Sequence, residues 1–558
     1  MGSINQKAPW QERIAIKREA CANRIPQAWK VSENYLNSLQ TPLSDNKTNL
    51  IQREVVRKSG ILTDRELDIT EQYDVAALLS ALASGALTST EVTLAYCKRA
   101  AVAQQLINCL TETMFEEAQA RAEYLDNLRA QGKSAGPLHG LPVSIKDNFQ
   151  YKGREATIGM VTFMDEVASA NSALVDILLN LGAVIYVKTN VPQTMMTAEA
   201  DNNVFGRTLN PWNTALGPGG SSGGEGALIA LRGSPLGVGT DIGGSVRIPA
   251  TCCGTYGFRP SAARVPNGGM RVCTTSGMKF ILSCAGPLSL DLNGIETFFK
   301  AIFNAQPALY DSTILDIPWR QVSTKPTLRI GVVPESPNFP LHPPVRRVLA
   351  EAATLLKAQG HEIVPLSEKE CQIIEANEIA WNTFSLDQGA MRHMQAAGEP
   401  PVPSLVHIGK LIEVLKLKKP TLPDMSTLDS MGKLALLNTH RAELRESYRK
   451  MWLHHNLDIC LAPPAQSTAV AHDKFGVAPY TTFLNLLDYP ACVIPFGHVG
   501  ELDAKETMEL KEYQVAPPWN YELLKGAPCS IQVFTTTLRD EECLQMTKQI
   551  DECLKGKI

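Results

Sequence analysis

Short apolar runs alternate with amphipathic helical patterns along most of this chain, and this alternation narrows the possible folds more than any other feature. The runs at 141–145 and 183–189 have the length of strands, and the helical pattern SALVDILLNLG lies between them. Strands and helices that alternate over hundreds of residues build a mostly parallel or mixed sheet covered by helices. The sequence therefore predicts an α/β fold, with further strands at LRIGVV, HEIVPL, LDICLAP, ACVIPF and CSIQVF.

The first 70 residues lack this alternation. They are polar and partly helical, and we expect residues 1–70 to form an N-terminal helical extension that packs on the body. The main body, residues 71–558, opens with the helical pattern DVAALLSALASG and the capping box TSTE at 88–91. A chain of 558 residues exceeds the roughly 250–300 at which one core usually stops growing, so length alone favours two or three domains.

Composition excludes several classes of partner. The 53 basic and 57 acidic residues form no long run of one sign, so we expect no nucleic-acid partner. The N-terminus has no signal-peptide pattern and no window approaches the roughly 18 apolar residues of a membrane span. The 13 cysteines form no C-x-x-C pair, which favours reduced thiols over a metal or redox site. We expect a cytoplasmic protein without stable membrane insertion, metal or cofactor.

The segment SLVHIGKLIEVLKLKK, residues 404–419, differs from the helices around it. Its apolar residues fall on one helical face, its lysines lie elsewhere, and prolines flank it on both sides. Three roles remain open, namely a lid over a pocket, a dimer contact or a membrane-surface element. The oligomeric state is open as well, with a homodimer as one option.

The most informative block is 216–260, where GGSSGG and GTDIGGSVRIPA flank an apolar, helix-compatible stretch. A flexible linker would not be joined to such an ordered stretch, and a phosphate cradle would carry a G-K-[ST] element. An active site for acyl transfer is the remaining interpretation of this block. The residues Ile242, Gly243 and Gly244 allow backbone N–H groups to converge beside the Ser245 hydroxyl, as an oxyanion hole requires. Ser245 is therefore the candidate nucleophile.

A nucleophilic serine needs a base. None of the ten histidines has a supporting context, and no G-x-S-x-G elbow is present. Lys146 ends an apolar strand in HGLPVSIKDNF, where burial would lower its pKa from about 10.4 toward 7–8. The alternative for a lysine at the end of a strand is an ordinary surface residue. A nitrilase-type Glu-Lys-Cys site is a further option, although no cysteine has a context like that of Ser245.

Three segments, HGLPVSIKDN, GGSSGGEGA and GVGTDIGGSVRIPA, together resemble the signature of the amidase signature family of serine hydrolases. The fungal acetamidase-type members are most similar in style, and the fatty acid amide hydrolases are more distant. The resemblance implies one large α/β catalytic domain over 71–558 with its core signature at 140–262. It also implies a central mixed, twisted sheet with helices on both faces.

The resemblance assigns roles to individual residues. It implies that Lys146 is the base, that Ser221, held after a cis peptide bond, bridges the relay, and that Ser245 is acylated. Ser222 would hydrogen-bond within the relay. The resemblance further implies an oxyanion hole and substrate pocket formed by Met195, Ser221, Ser222, Ile242, Gly243, Gly244 and Ser245, with Thr194 and Met196 nearby. Asp241 and Arg247, which flank the nucleophile, are expected to fix the loop by ionic hydrogen bonds.

The function implied is an amidase that hydrolyses a small-molecule, non-peptide carboxamide to an acid and ammonia or an amine. A carbamate or ester hydrolase on the same triad, or an amide hydrolase of secondary metabolism, is the alternative. A non-catalytic binding or scaffold member is a third, which the intact Lys146, Ser221 and Ser245 disfavour. The stretch VFTTTL at 533–538 and the pair Cys252-Cys253 depart from the family pattern, so the substrate stays open.

Overall fold

The computed structural model describes residues 9–39, 42–416 and 420–556, which contain one mixed sheet of eleven strands. The order across the sheet is β1-β3-β2-β4-β6-β5-β10-β11-β9-β7-β8. Strands β2, β3 and β4 run parallel, as do β7, β8 and β9, and the other neighbours are antiparallel. The predicted α/β fold with a mixed sheet is confirmed. The strands are β1 Leu110–Thr113, β2 Pro142–Lys146, β3 Val184–Thr189, β4 Leu236–Asp241, β5 Tyr256–Arg259, β6 Cys284–Ser289, β7 Arg329–Val332, β8 Glu362–Pro365, β9 Ile459–Ala462, β10 Ala491–His498 and β11 Pro528–Phe534.

The helices alternate with these strands as the sequence pattern predicts, and the capping box of Thr88 and Glu91 opens α6. In the part of the chain that is described, none of them is both long and apolar enough to cross a membrane. The helices are α1 Trp10–Asn23, α2 Glu33–Ser38, α3 Val55–Lys58, α4 Asp64–Gln72, α5 Val75–Ser84, α6 Ser89–Ile107, α7 Phe115–Ala130, α8 Ala173–Asn180, α9 Gly223–Ala230, α10 Arg247–Cys253, α11 Leu292–Phe303, α12 Pro343–Ala358, α13 Glu368–Cys371, α14 Ile373–Ser385, α15 Gly389–Ala397, α16 Pro403–Lys416, α17 Ser430–His455, α18 Pro479–Leu487, α19 Tyr521–Leu524 and α20 Asp540–Lys555.

The central strands are buried on both faces of the sheet. Every residue of β2, β4 and β11 is buried, although alternate side chains of a strand point to opposite faces. Strands of a sheet that is covered on both sides carry such continuous small and apolar runs, here PVSIK, LGVGTD and PCSIQVF. The helices therefore enclose this sheet, and the polar side chains on these strands lie in the interior.

The N-terminal helix α1 packs on the rest of the chain through ion pairs. Lys17 and Arg24 both bind the carboxylate of Glu112 on β1. Arg13 binds Asp165, with 2.9 Å between Nη2 and Oδ2. These contacts tie α1 to the edge strand of the sheet, while the division of the chain at residue 70 stays a prediction.

Strands β2 and β4 bring the predicted site residues together. The two strands are parallel neighbours, with Ser144 paired to Gly237, so their carboxyl ends lie at one edge of the sheet. Lys146 is the last residue of β2. The segment that carries Ser245 follows β4 directly and leads into α10. In parallel sheets, ligands bind at this edge.

Candidate active site

Lys146 is fully buried and contacts one of the predicted serines. Its Nζ donates a hydrogen bond to Ser221 Oγ at 2.7 Å and another to Thr240 Oγ1 at 2.9 Å. A third, longer contact of 3.4 Å reaches the carbonyl of Thr240. The partners of the ammonium nitrogen are therefore hydroxyl and carbonyl oxygens, and it has no ion pair within the described residues.

This environment favours the neutral form of the amine. Burial lowers the pKa of Lys146 to about 7, against the opposing influence of the carboxylates of Asp241 and Glu225. Desolvation penalises the charged form of a lysine, and uncharged partners do not restore the lost hydration. Near neutral pH a substantial fraction of Lys146 is thus unprotonated and able to accept a proton.

The segment that carries Ser221 passes close to its neighbours. The peptide bond between Gly220 and Ser221 is cis. A Cβ at position 220 would lie 2.1 Å from the carbonyl oxygen of Glu199, so only glycine fits there. The N–H of Ser222 donates to the carbonyl of Ser245 at 3.1 Å, which holds the two serine segments together.

Ser222 contacts β4 rather than the other serines through its side chain. Its Oγ accepts a hydrogen bond from the N–H of Thr240 at 3.3 Å and lies 3.4 Å from the carbonyl oxygen of the same residue. Because Thr240 also binds Lys146, Ser222 and Lys146 share one neighbour. Ser222 is thereby placed to support the geometry around Lys146.

The loop that carries Ser245 is shaped by Asp241. One carboxylate oxygen of Asp241 accepts the N–H of Gly244 at 2.8 Å, and the other accepts the N–H of Val246 at 3.1 Å. Arg247 binds the same carboxylate through Nε and Nη2, both at 3.1 Å. Although burial opposes it, the Arg247 guanidinium, helped by Asn485, holds the pKa of Asp241 well below its usual range. The ionic hydrogen bonds expected for Asp241 and Arg247 are present.

The predicted oxyanion donors differ in what they bind. Gly244 has a φ of +124°, a Cβ there would lie 2.2 Å from Thr481 Oγ1, and its N–H is taken by Asp241. The N–H groups of Gly243 and Ser245 have no partner among the described residues. Ile242, Gly243 and Ser245 all line a cavity, whereas Gly244 does not. Gly244 therefore shapes the loop, and the N–H groups of its two neighbours stay unpaired within the described residues.

The cavity beside Ser245 has a volume of about 40 Å³. One water molecule needs roughly 10–15 Å³ on this measure, so the space holds a group of a few heavy atoms. Met195 and Met196 line it, whereas Thr194, Ser221 and Ser222 do not belong to its lining. The remaining lining residues are Thr197, Ala198, Gly220, Ile248, Trp381, Phe384, Ile408, Gly476, Ala478 and Thr482.

Helices that are distant in sequence from Ser245 cover this cavity. Their lining residues were not predicted from the sequence. Trp381 and Phe384 come from α14, where a spacing of three residues places both on one face. Ile408 comes from α16, whose amphipathic pattern was the available signal. Residues 417–419 of the segment predicted at 404–419 lie outside the described residues. The described part of α16 thus borders the cavity.

Comparisons with known proteins find similar chains over nearly the whole length of this one. The family model described as Amidase matches residues 91–544. The chain is 37% identical to a Gibberella moniliformis protein named Amidase over 553 residues, which is 98% of this chain and 99% of that one. It is 35% identical to the Emericella nidulans protein named Acetamidase, over 98% of both chains. A solved structure of a fatty acid amide hydrolase superposes with a TM-score of 0.85 at 29% identity, covering 98% of this chain and 95% of the other.

Proposed function

The chain belongs to the amidase family of hydrolases that act on amides, and we propose that it cleaves a small carboxamide through an acyl-enzyme on Ser245. The observation that carries the proposal is the buried contact between Lys146 Nζ and Ser221 Oγ, in a segment bonded to that of Ser245. A lysine with a pKa of about 7 can act as a base near neutral pH. The products are a carboxylic acid and ammonia or an amine.

In the proposed acylation, neutral Lys146 takes the proton of Ser221, and Ser221 takes the proton of Ser245. The Ser245 oxygen forms a bond to the amide carbon, and the carbonyl electron pair moves onto the oxygen. Gly243 and Ser245 donate their free N–H groups to this oxyanion. The proton then returns through Ser221 to the amide nitrogen, and the C–N bond breaks. Water hydrolyses the acyl-enzyme over the same proton path.

The cavity supports a short acyl group. Its volume of about 40 Å³ fits two to four heavy atoms beside Ser245, and its walls carry apolar side chains. The name Acetamidase of the Emericella nidulans relative agrees with this size. We therefore propose short aliphatic amides as substrates, and carbamates and esters with the same acyl group as the competing class.

Mechanism-based labelling tests the nucleophile. A fluorophosphonate probe should modify Ser245 in the active protein, with the site mapped by mass spectrometry. Ser245→Ala should remove the labelling, and Ser221→Ala should slow it by at least about 100-fold, because proton transfer in the relay is lost. Ser234→Ala is the matched control. Ser234 is equally buried, but its hydroxyl donates to the carbonyl of Leu236, outside the relay. Labelling of a cysteine, or of Ser245→Ala, would contradict the proposal.

A substrate panel tests the acyl size. The turnover of acetamide, propionamide, butyramide, hexanamide and benzamide should fall as the acyl group outgrows the cavity, measured as kcat/KM from ammonia release. Matched methyl esters and methyl carbamates show whether the amide is preferred. Faster turnover of hexanamide or benzamide than of acetamide would refute the proposed size, and faster turnover of the carbamate would refute the amide preference.

A further inference from the structure

Glu225 is a fully buried carboxyl in the first turn of α9 to which the relay assigns no role. Its Oε2 accepts a hydrogen bond from Ser144 Oγ at 2.6 Å, and its Oε1 accepts one from Thr189 Oγ1 at 2.8 Å. Ser144 lies on β2 and Thr189 ends β3. One side chain thus ties α9 to two neighbouring strands.

The bond to Ser144 lies next to the contact between Lys146 and Ser221. Ser144 and Lys146 are two residues apart on β2, so both side chains leave the same face of the sheet. They reach Glu225 and Ser221 respectively, which lie four residues apart where the serine segment enters α9. Two parallel contacts therefore join the strand that carries Lys146 to the segment that carries Ser221.

Strand β4 leaves space for the carboxyl group. A Cβ at Gly237 would lie 2.1 Å from Glu225 Oε2 and 2.9 Å from Ser144 Oγ. Gly237 pairs with Ser144 across the sheet, so the glycine stands opposite this hydrogen bond. Any other residue at position 237 would displace the carboxyl group.

The ionisable neighbours of Glu225 come from several elements. Burial raises the pKa of Glu225 to about 7, and the hydrogen bonds from Ser144 and Thr189 and the charge of Lys146 on β2 oppose this rise. Tyr186 on β3 and Cys109 after α6 also face it, and burial raises both of their pKa values, so they stay neutral. Asp241 at the end of β4 acts on Lys146 as well, but its charge is balanced by Arg247.

We propose that Glu225 is a positioning residue for the relay, which holds β2 against α9 and whose carboxylate stabilises the ammonium form of Lys146 during acylation. This inference rests on the proposed function, because it needs Lys146 to receive a proton. That proton comes from Ser245 through Ser221 and returns to the leaving nitrogen, so Glu225 itself gains and loses none. Ionised Glu225 favours the charged lysine and thereby raises the pH at which Lys146 becomes a free base.

The test compares the pH profile of kcat/KM in four variants of the full chain. Glu225→Gln keeps the size of the side chain and one acceptor oxygen, replaces the other oxygen by a donating NH2 group, and removes the charge. In Glu225→Gln, the acid limb of the kcat/KM profile should move to lower pH by about one pH unit. The kcat should fall about 10-fold with KM unchanged. Ser144→Ala removes a hydrogen bond that favours ionised Glu225, so its limb should move in the same direction. Ser234→Ala, at a buried serine that bonds to Leu236, is the matched control and should keep the wild-type limb. Glu225→Asp should restore the limb in part.

A purely structural role predicts a different result. If Glu225→Gln loses activity equally at every pH while the acid limb stays in place, the charge has no effect on Lys146 and the inference is wrong. Inactive wild-type protein with unlabelled Ser245 would instead contradict the proposed function, so the two failures are distinguishable.

A second measurement does not depend on the folding of Glu225→Gln. Infrared difference spectroscopy follows the band of protonated buried carboxyl groups through a pH titration of the wild type and of Lys146→Met. Removal of the neighbouring cation should move the protonation of Glu225 to higher pH. An unchanged titration would show that the two groups do not interact and would overturn the inference.

Discussion

Replacement of Lys146 by methionine should abolish hydrolysis and, near neutral pH, make the protein more stable. Lys146 is fully buried, and its hydrogen-bond partners Ser221 and Thr240 are uncharged. Methionine has a similar length and no charge, so it can fill the same space. The variant removes the cost of taking an ammonium group out of water.

The magnitude follows from the change in the pKa of Lys146 on folding, from 10.5 to about 7. Between these two values the unfolded chain holds a proton that the folded protein releases, so the wild type gains stability as the pH rises. Each pH unit corresponds to about 1.4 kcal/mol, which gives a cost of about 4 kcal/mol at about pH 7.5 and about 1 kcal/mol at about pH 9.5. The two lost hydrogen bonds, at about 1 kcal/mol each, offset about half of this gain at the lower pH.

Lys188 provides the matched control. It lies on β3, where it pairs with Ile145 beside Lys146, and it is equally buried. Its Nζ lies 3.6 Å from Asp147 Oδ1 and donates to the carbonyl of Glu155 at 2.5 Å. Lys188→Met leaves the carboxylate of Asp147 without its cation, which typically costs about 3–5 kcal/mol and is opposite in sign to the Lys146 effect.

Pulse proteolysis in urea measures the free energy of unfolding of the wild type and both variants at the two pH values. We expect Lys146→Met to exceed the wild type by about 2 kcal/mol at the lower pH and to lose this advantage at the higher pH. Lys188→Met should be less stable at both. A difference between Lys146→Met and the wild type that does not change with pH would refute the reasoning, because the cost of burying the charge must titrate.

Three further predictions concern activity and the active-site loop. The kcat/KM of the wild type should rise with pH around a midpoint near 7, because only neutral Lys146 accepts a proton, and Lys146→Arg should be inactive throughout because a guanidinium stays charged. Asp241→Asn should lower the free energy of unfolding by about 3–5 kcal/mol, since it leaves buried Arg247 without its anion, and urea titration against Asp316→Asn as an exposed control checks this. Trp381→Ala should enlarge the cavity and raise the kcat/KM of hexanamide relative to acetamide at least 10-fold, and an unchanged ratio would show that Trp381 does not limit the acyl group.

The strands that the sequence reveals are those with continuous apolar runs. Strands β2, β3 and β7–β11 were predictable because their buried positions carry valine, isoleucine and leucine. The edge strand β1 has the sequence LTET, and its Glu112 forms ion pairs with Lys17 on α1 and with Arg24, which directly follows that helix. Strands β5 and β6 contain glycine, proline and a buried arginine. Their burial depends on tertiary partners that no local pattern shows.

The residues of the site also fall into two groups, those that the sequence indicates and those that only tertiary packing brings together. Local signals, a strand end and a glycine-rich turn, indicated Lys146 and Ser245, whereas Ser221 was assigned through the family resemblance. The lining residues on α14 and α16 come near Ser245 only through the packing of distant helices. The hydrogen bond from the Gly244 N–H to Asp241 could not be predicted either, because the same glycine pattern suits an oxyanion donor and a tight loop.

Lys146 and Lys188 are two buried lysines of this chain whose side chains have different partners. The two lie on adjacent strands in the same interior and are equally inaccessible to water, and burial lowers both pKa values. Lys188 has the carboxylate of Asp147 at 3.6 Å, which favours its charged form. Lys146 has hydroxyl partners, and the carboxylates of Asp241 and Glu225 act on it without forming an ion pair. A lysine that is buried without a contacting anion lowers the stability of the fold at a pH where the unfolded chain is protonated, but it can exchange a proton near neutral pH. The partners of a buried lysine, rather than its burial, therefore decide whether it serves structure or chemistry.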